Sequence, residues 1–173
     1  MSIRLILILS LVLPSATVCA FARPDNAASC NNPEYHKLDF WLGQWDVYAD
    51  GKLDGTDLVE TTMGRCAILE HWREASGGGE GMSLFYYVPG TRTWKQVWVT
   101  DAGQIKEKQL IAEFPDGGIR FQGEIAHRDG TSHLDRTTLT PVPGGRVHQR
   151  IEISKDGGKN WQIVYDAEYR RKS

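Results

Sequence analysis

The sequence predicts an all-β protein: an up-and-down antiparallel barrel of about ten strands with a short N-terminal helix. Three observations carry that prediction. Turn signals recur at short intervals from Asp50-Gly51 and Asp54-Gly55 through Pro143-Gly144-Gly145 to Asp156-Gly157-Gly158, supplying the positive-φ positions that hairpins need. Between them lie strand-length segments that alternate in chemistry, such as Trp94-x-Gln96-x-Trp98 and Trp161-x-Ile163-x-Tyr165-x-Ala167-x-Tyr169. A meander of this length exposes two edges unless it closes, so a barrel is the economical arrangement. A two-sheet sandwich shares the strand spacing and is the alternative.

Residues 1–22 read as an export signal. Arg4 gives the positive start, Leu5 to Val12 form an apolar run too short to span a bilayer, and Ala20-Phe21-Ala22 is a small-x-small cleavage site. Cleavage after Ala20 would leave the rest of the reading unchanged. Cys19 follows a bulky Val18, which argues against a lipid anchor. Residues 23–35 form an N-terminal extension and 36–173 the barrel domain. With no second hydrophobic span, the processed chain is expected to be periplasmic or secreted, without stable membrane insertion.

Removing Arg4 with the signal turns 20 basic and 22 acidic side chains into 19 and 22. No basic face is concentrated anywhere, which excludes the ordinary mode of nucleic-acid binding. Cys30 and Cys66 survive processing, and an oxidising compartment favours a disulfide between them over two separate thiols.

The helical piece covers His36 to Leu42, and Gly43-Gln44-Trp45 opens the first strand. Farther along, polar residues fall on otherwise apolar faces at period two. Glu70 shares its face with Ile68 and Trp72, and Gln96 lies between Trp94 and Trp98. Arg136 shares a face with Leu134, and Gln149 lies between Val147 and Ile151. Buried polar groups must satisfy one another, water or a ligand. Arg136 and Glu70 are the natural pair, read either as a structural ion pair with bound waters or as anchors of a pocket. The pocket reading makes Glu70, Trp72, Gln96, Trp98, Arg136 and Gln149 ligand-binding residues, since aromatic walls with a few directional polar groups are the usual make-up of a small-molecule site.

Other motifs carry less chemistry. "SKDGGKNW", Ser154 to Trp161, matches an Asp-box pattern except at Asn160 but occurs once. Its mechanical sense is a hairpin in which Asp156 caps the turn and Trp161 covers the base. The five histidines show no metal-ligand spacing, so neither a metal nor another cofactor is expected. No Gly-x-Ser-x-Gly elbow is present, and Gly77-Gly78-Gly79 lacks the lysine of a phosphate loop.

A short helix followed by Gly43-Gln44-Trp45 resembles the opening motif of lipocalins. In that family the tryptophan plugs the closed end of the barrel against a basic residue late in the last strand, here Arg170 or Arg171. More widely, "HKLDFWLGQWDVY", "GRCAILEHW", "TWKQVWV", "DRTTLTPVPGGRVHQRIEISKDGGKNW" and "YRR" are similar to an exported bacterial family related to the DUF1579 group. That resemblance implies a lipocalin-like, or calycin, barrel and no known activity. Thr138 and Ile151 stand where the family commonly has tryptophan, which implies a roomier interior. The leading expectation is a carrier or sensor whose partner is a partly apolar small molecule. Two alternatives stay open: an isomerase or lyase using Glu70 and Arg136, and a haem or nitric-oxide binder of the nitrobindin type. The last needs an inward histidine, and the parity of His148 counts against it.

Overall fold

Nearly every turn signal falls between two strands in the computed structural model, which describes residues 30–172. The strands are β1 (Gly43–Ala49), β2 (Lys52–Thr62), β3 (Ala67–Glu74), β4 (Glu80–Val88) and β5 (Thr93–Thr100). They continue as β6 (Ile105–Glu113), β7 (Ile119–Ala126), β8 (Ser132–Val142), β9 (Arg146–Ser154) and β10 (Gln162–Arg171). Each pairs antiparallel with the next, and β10 returns to β1 with Trp45 opposite Arg171 and Ala49 opposite Ala167, closing the barrel. The sandwich alternative is thereby set aside. The proposed export signal lies outside the described residues. Among the described residues no helix is long and apolar enough to cross a membrane.

The expected helix from His36 to Leu42 is instead two 3-10 turns, Pro33–His36 and Asp39–Trp41. Pro33 and the Asn32 side chain, which accepts from the Glu34 amide at 3.0 Å, start the first turn. A three-residue repeat suits this segment because Leu38 and Trp41 then point the same way, and both are fully buried against the barrel end. Trp94 fastens the segment by donating its Nε1–H to the Glu34 carbonyl at 2.8 Å. Cys30 and Cys66 form the expected disulfide, with Cα atoms 5.1 Å apart.

Packing at this end explains the Gly-x-Trp motif. Trp45 is fully buried and donates its Nε1–H to the Trp41 carbonyl at 2.8 Å. Of the two candidate arginines, Arg171 takes the expected place, its guanidinium 4.2 Å from the Trp45 ring centre, whereas Arg170 lies over Tyr48. Arg171 also donates to the Leu42 carbonyl at 2.7 Å. A Cβ on Gly43 would lie 2.0 Å from Arg171 Nη1, and the Gly43 φ of 141° independently favours glycine. The core above this plug is aromatic, with Trp41 edge-on to Phe85 at 5.5 Å and Phe85 edge-on to Phe121 at 5.3 Å.

Asp54-Gly55 departs from its reading as a turn, because both residues lie inside β2. Gly55 is there for packing: a Cβ would come 2.3 Å from the Trp72 ring. Gly81 serves Trp98 in the same way, with a Cβ at 2.3 Å. The rings of both tryptophans thus pack closely against glycines on the neighbouring strands. Thr138 also departs from expectation, since it faces outward and accepts from Arg120 Nε at 2.8 Å, so it does not enlarge the interior.

Candidate ligand cavity

Successive inward positions of the barrel change character halfway along its axis. The half nearest the plug is apolar, with Val59, Ile68, Phe85, Trp94, Leu139 and Val147 all buried. The next layer is polar on nearly every strand, and period-two geometry puts its members side by side. Val59 and Ser83 flank Glu70 in register, Phe85 faces Gln96, and Gln96 faces Lys108. Gly123 faces Asp135, Thr137 faces Ile151, and Leu139 faces Gln149.

This polar layer forms the floor of a cavity of about 640 Å³ that opens at the end opposite the plug. Trp72 and Trp98 make aromatic walls, with Ile151, Val164 and Tyr165 across from them. The rim comes from the β3–β4 and β5–β6 hairpins and carries Glu74, Glu80 and Asp101.

Two hydrogen-bonded groups organise the floor. On one side Lys108 donates to Asp135 Oδ1 at 2.5 Å and to Thr137 Oγ1 at 2.6 Å, while Lys106 reaches Asp135 Oδ2 at 2.9 Å. Gly123, between β6 and β8, makes room for this crossing: a Cβ there would lie 1.9 Å from the Glu107 carbonyl oxygen. Burial lowers the Lys108 pKa against the opposing pull of Asp135. Burial also works against ionisation of Asp135, but the charges of Lys108 and Lys106 outweigh it and hold that carboxyl below its ordinary value. Asp135 is therefore the counter-ion of two lysines.

On the other side, Asp57 and Glu70 form a carboxyl pair. Burial pushes Glu70 up to about 7, although Ser83, Asp57 and the Lys108 charge each favour its ionised form. Asp57 is pushed well above the ordinary carboxyl range, by burial first and by the Glu70 charge second. The Leu58 and His71 backbone N–H groups favour the ionised form of Asp57 but are outweighed. Two carboxyls in contact can bond only by keeping a proton between them, so the pair is a shared-proton site near neutral pH. Gln96 donates through Nε2 to Ser83 Oγ at 3.1 Å, and its Oε1 meets no donor among the described residues.

The third wall is phenolic. Tyr165 donates to Asp54 Oδ2 at 2.7 Å, and Tyr169 donates to Gln149 Oε1 at 3.1 Å. Burial raises the pKa of both hydroxyls, so they stay protonated donors.

Five of the six residues expected to bind ligand, Glu70, Trp72, Gln96, Trp98 and Gln149, line this one cavity. Arg136 does not, and its expected pairing with Glu70 is corrected. Arg136 lies on the outer face, bidentate to Glu152 at 2.8 and 2.9 Å, with its guanidinium 3.8 Å from the Trp161 ring centre. The physical reason is parity. The inward face of β8 is Asp135, Thr137 and Leu139, and Leu134 is only half-buried. Sequence reasoning followed the apolar neighbour and so chose the wrong face, missing Lys108, Asp135, Thr137 and Asp57. Lys106 and Lys108 do share period two with Leu110, a signal that could have exposed them.

The hairpin reading of Asp156 holds in detail. Its carboxylate accepts from the Asn160 amide at 2.9 Å, from Asn160 Nδ2 at 2.7 Å and from Ser154 Oγ at 2.8 Å, and these bonds, the Asn160 backbone first, bring its pKa down to about 2. Trp161 donates to the Gly158 carbonyl at 3.0 Å. None of the five histidines lines the cavity. His148 faces outward onto Asp166 at 2.6 Å, and His127 stacks on His133. A histidine-ligated haem therefore has no ligand inside this barrel. Among the described residues no cluster of three or more His, Cys, Asp or Glu side chains could hold a metal ion. No protein-family model matches the chain, and comparison with curated proteins gives no match.

Proposed function

We propose that this protein is an exported small-molecule-binding barrel, a carrier or sensor that holds a partly apolar ligand between Trp72 and Trp98 above a polar floor. The observation that carries the reading is the cavity itself: about 640 Å³, walled by two tryptophans and floored by Glu70, Gln96, Lys108 and Gln149. That volume lies within the roughly 300–1,000 Å³ usual for small-molecule sites, and the lining has the usual mix of apolar wall and few polar groups. The Cys30–Cys66 disulfide supports an oxidising compartment and with it the export signal; kinship with the exported DUF1579-related group is part of the same proposal and rests on the sequence motifs alone.

Native mass spectrometry of the protein taken from its own cell envelope tests this reading. Retained mass that disappears in Trp72→Ala with Trp98→Ala is the expected result. Protein that carries no ligand and binds no hydrophobic probe in the cavity would exclude it.

A second reading rests on one observation, the Glu70 carboxyl with a pKa of about 7 beside Asp57. Such a group serves as acid or base at neutral pH, as an isomerase or lyase needs. Arg136, on the outer face, has no part in it. Lys108 is the cation nearest to hand. Chemical conversion of the retained ligand, lost in Glu70→Gln, distinguishes enzyme from carrier.

A further inference from the structure

The open hydrogen-bonding group of the cavity floor is an acceptor. Among the described residues Gln96 Oε1 is buried without a donor, in a residue only 8% exposed, and the buried Asp57, 3% exposed, adds its carboxyl beside Glu70. The amines of the floor are by contrast engaged. Lys108 and Lys106 share Asp135, and Lys108 bonds Thr137 as well. The orientation of Gln96 follows from its neighbours. Ser83 is hydrogen-bonded to Glu70, so its oxygen accepts from Gln96 Nε2, which turns the amide oxygen away as an open acceptor.

Charge along the approach has the same sense. Asp54, Glu70, Glu74, Glu80 and Asp101 line the cavity, against Lys106 and Lys108, and those two lysines are already compensated by Asp135. A low-dielectric funnel with this excess concentrates cations at its base. The walls suit the same ligand, since Trp72 and Trp98 line the cavity and indole rings attract cations.

Building on the binding function proposed above, we infer that the ligand is an organic ammonium, an amine on an apolar or aromatic body, whose N–H groups bond Glu70 and the open Gln96 oxygen while Asp57 backs the charge. The amine takes the place of the proton that Asp57 and Glu70 otherwise share. An anionic ligand would bring another negative charge up to the Asp57–Glu70 carboxyl pair and is selected against.

One consequence is proton-linked affinity. The groups facing Glu70 are Asp57 on β2, Ser83 on β4, Lys108 on β6, and Tyr165 and Tyr169 on β10, with Asp135 on β8 compensating Lys108. Both tyrosines stay protonated near neutrality, so proton loss there belongs to the carboxyl pair. Binding an ammonium that is itself charged throughout must expel that proton, and affinity rises as pH increases through about 7.

Three probes of similar size test the inference on the intact protein: 1-naphthylmethylamine, 1-naphthalenemethanol and 1-naphthoate, titrated against tryptophan fluorescence. The amine should bind at least about tenfold tighter than the alcohol, and the carboxylate weakest. From about pH 6 to about pH 8 the amine's affinity should rise several-fold while the alcohol's stays flat. Asp57→Asn with Glu70→Gln should abolish both the preference and the pH slope yet leave the alcohol bound. Carboxylate binding as tight as amine binding overturns the inference and leaves the cavity reading standing, as does an amine preference that survives in the double variant. Failure of all three probes up to about 1 mM rejects the cavity reading and this inference together. If the double variant does not fold, the wild-type pH profiles decide.

Discussion

Gly43→Ala is the sharpest perturbation of the closed end, because one added methyl meets one identified group. Its Cβ would sit 2.0 Å from Arg171 Nη1, the far end of a long side chain, so the arginine swings away rather than the backbone moving. What is lost is then countable. The charged hydrogen bond from Arg171 to the Leu42 carbonyl, 2.7 Å long, contributes about 1.5 kcal/mol, the low end of its range because Arg171 is exposed. The stacking of Arg171 on Trp45 adds about 0.5–1 kcal/mol at an exposed site. Holding alanine at the Gly43 φ of 141° adds roughly 1–3 kcal/mol of strain. The total is about 3–5 kcal/mol, read as a lowered urea midpoint at constant slope. Only the first two contributions pass through Arg171. In an Arg171→Ala background Gly43→Ala should cost only the strain, a coupling energy of about 2 kcal/mol. Additivity of the two substitutions within about 0.5 kcal/mol would refute the claim that Gly43 exists to admit Arg171.

Other outcomes follow from the same geometry. Glu70 has its folded pKa raised from 4.5 to about 7, so the folded state binds the extra proton and stability falls as pH rises across that window; the loss is on the order of 3 kcal/mol, and because buried Asp57 is raised too, denaturation curves should lack that slope only in Asp57→Asn with Glu70→Gln. Reducing Cys30–Cys66, which spans 36 residues, should cost about 3–4 kcal/mol, and alkylation of envelope-derived protein without reduction should modify neither thiol. Arg136→Met should lower stability by about 2 kcal/mol through its bonds to Glu152 and its stacking on Trp161, yet leave probe affinity in the cavity unchanged; a loss of binding with stability retained would restore Arg136 to the site.

Much of this molecule is encoded locally. Turn residues and period-two alternation report on a few neighbouring positions, and they were enough to set the all-β class, the number of strands and the inward direction of Glu70, Gln96, Trp98 and Gln149. A signal of that range also located the Asp156 hairpin, whereas the pairing of Cys30 with Cys66, 36 residues apart, followed from an even count in an oxidising compartment. The floor of the cavity is different in kind. Lys108 meets Asp135 across 27 positions of sequence, over a glycine on the strand between them, and Asp57 meets Glu70 from a neighbouring strand. Period two assigns a residue to one of two faces, but a strand such as β8, with Asp135 and Thr137 on its inward face and Arg136 beside Leu134 on the other, carries no apolar contrast to say which face is inside. Closure of the barrel supplies that missing information. It fixes the register of every strand at once, turns Arg136 outward to Glu152, and gathers nearly every strand's mid-height residues into one polar layer. Which charges neutralise one another, and which acceptors are left over for a ligand, is settled by that encirclement, because Coulomb attraction and hydrogen bonding act through a few ångströms of space and not along the chain.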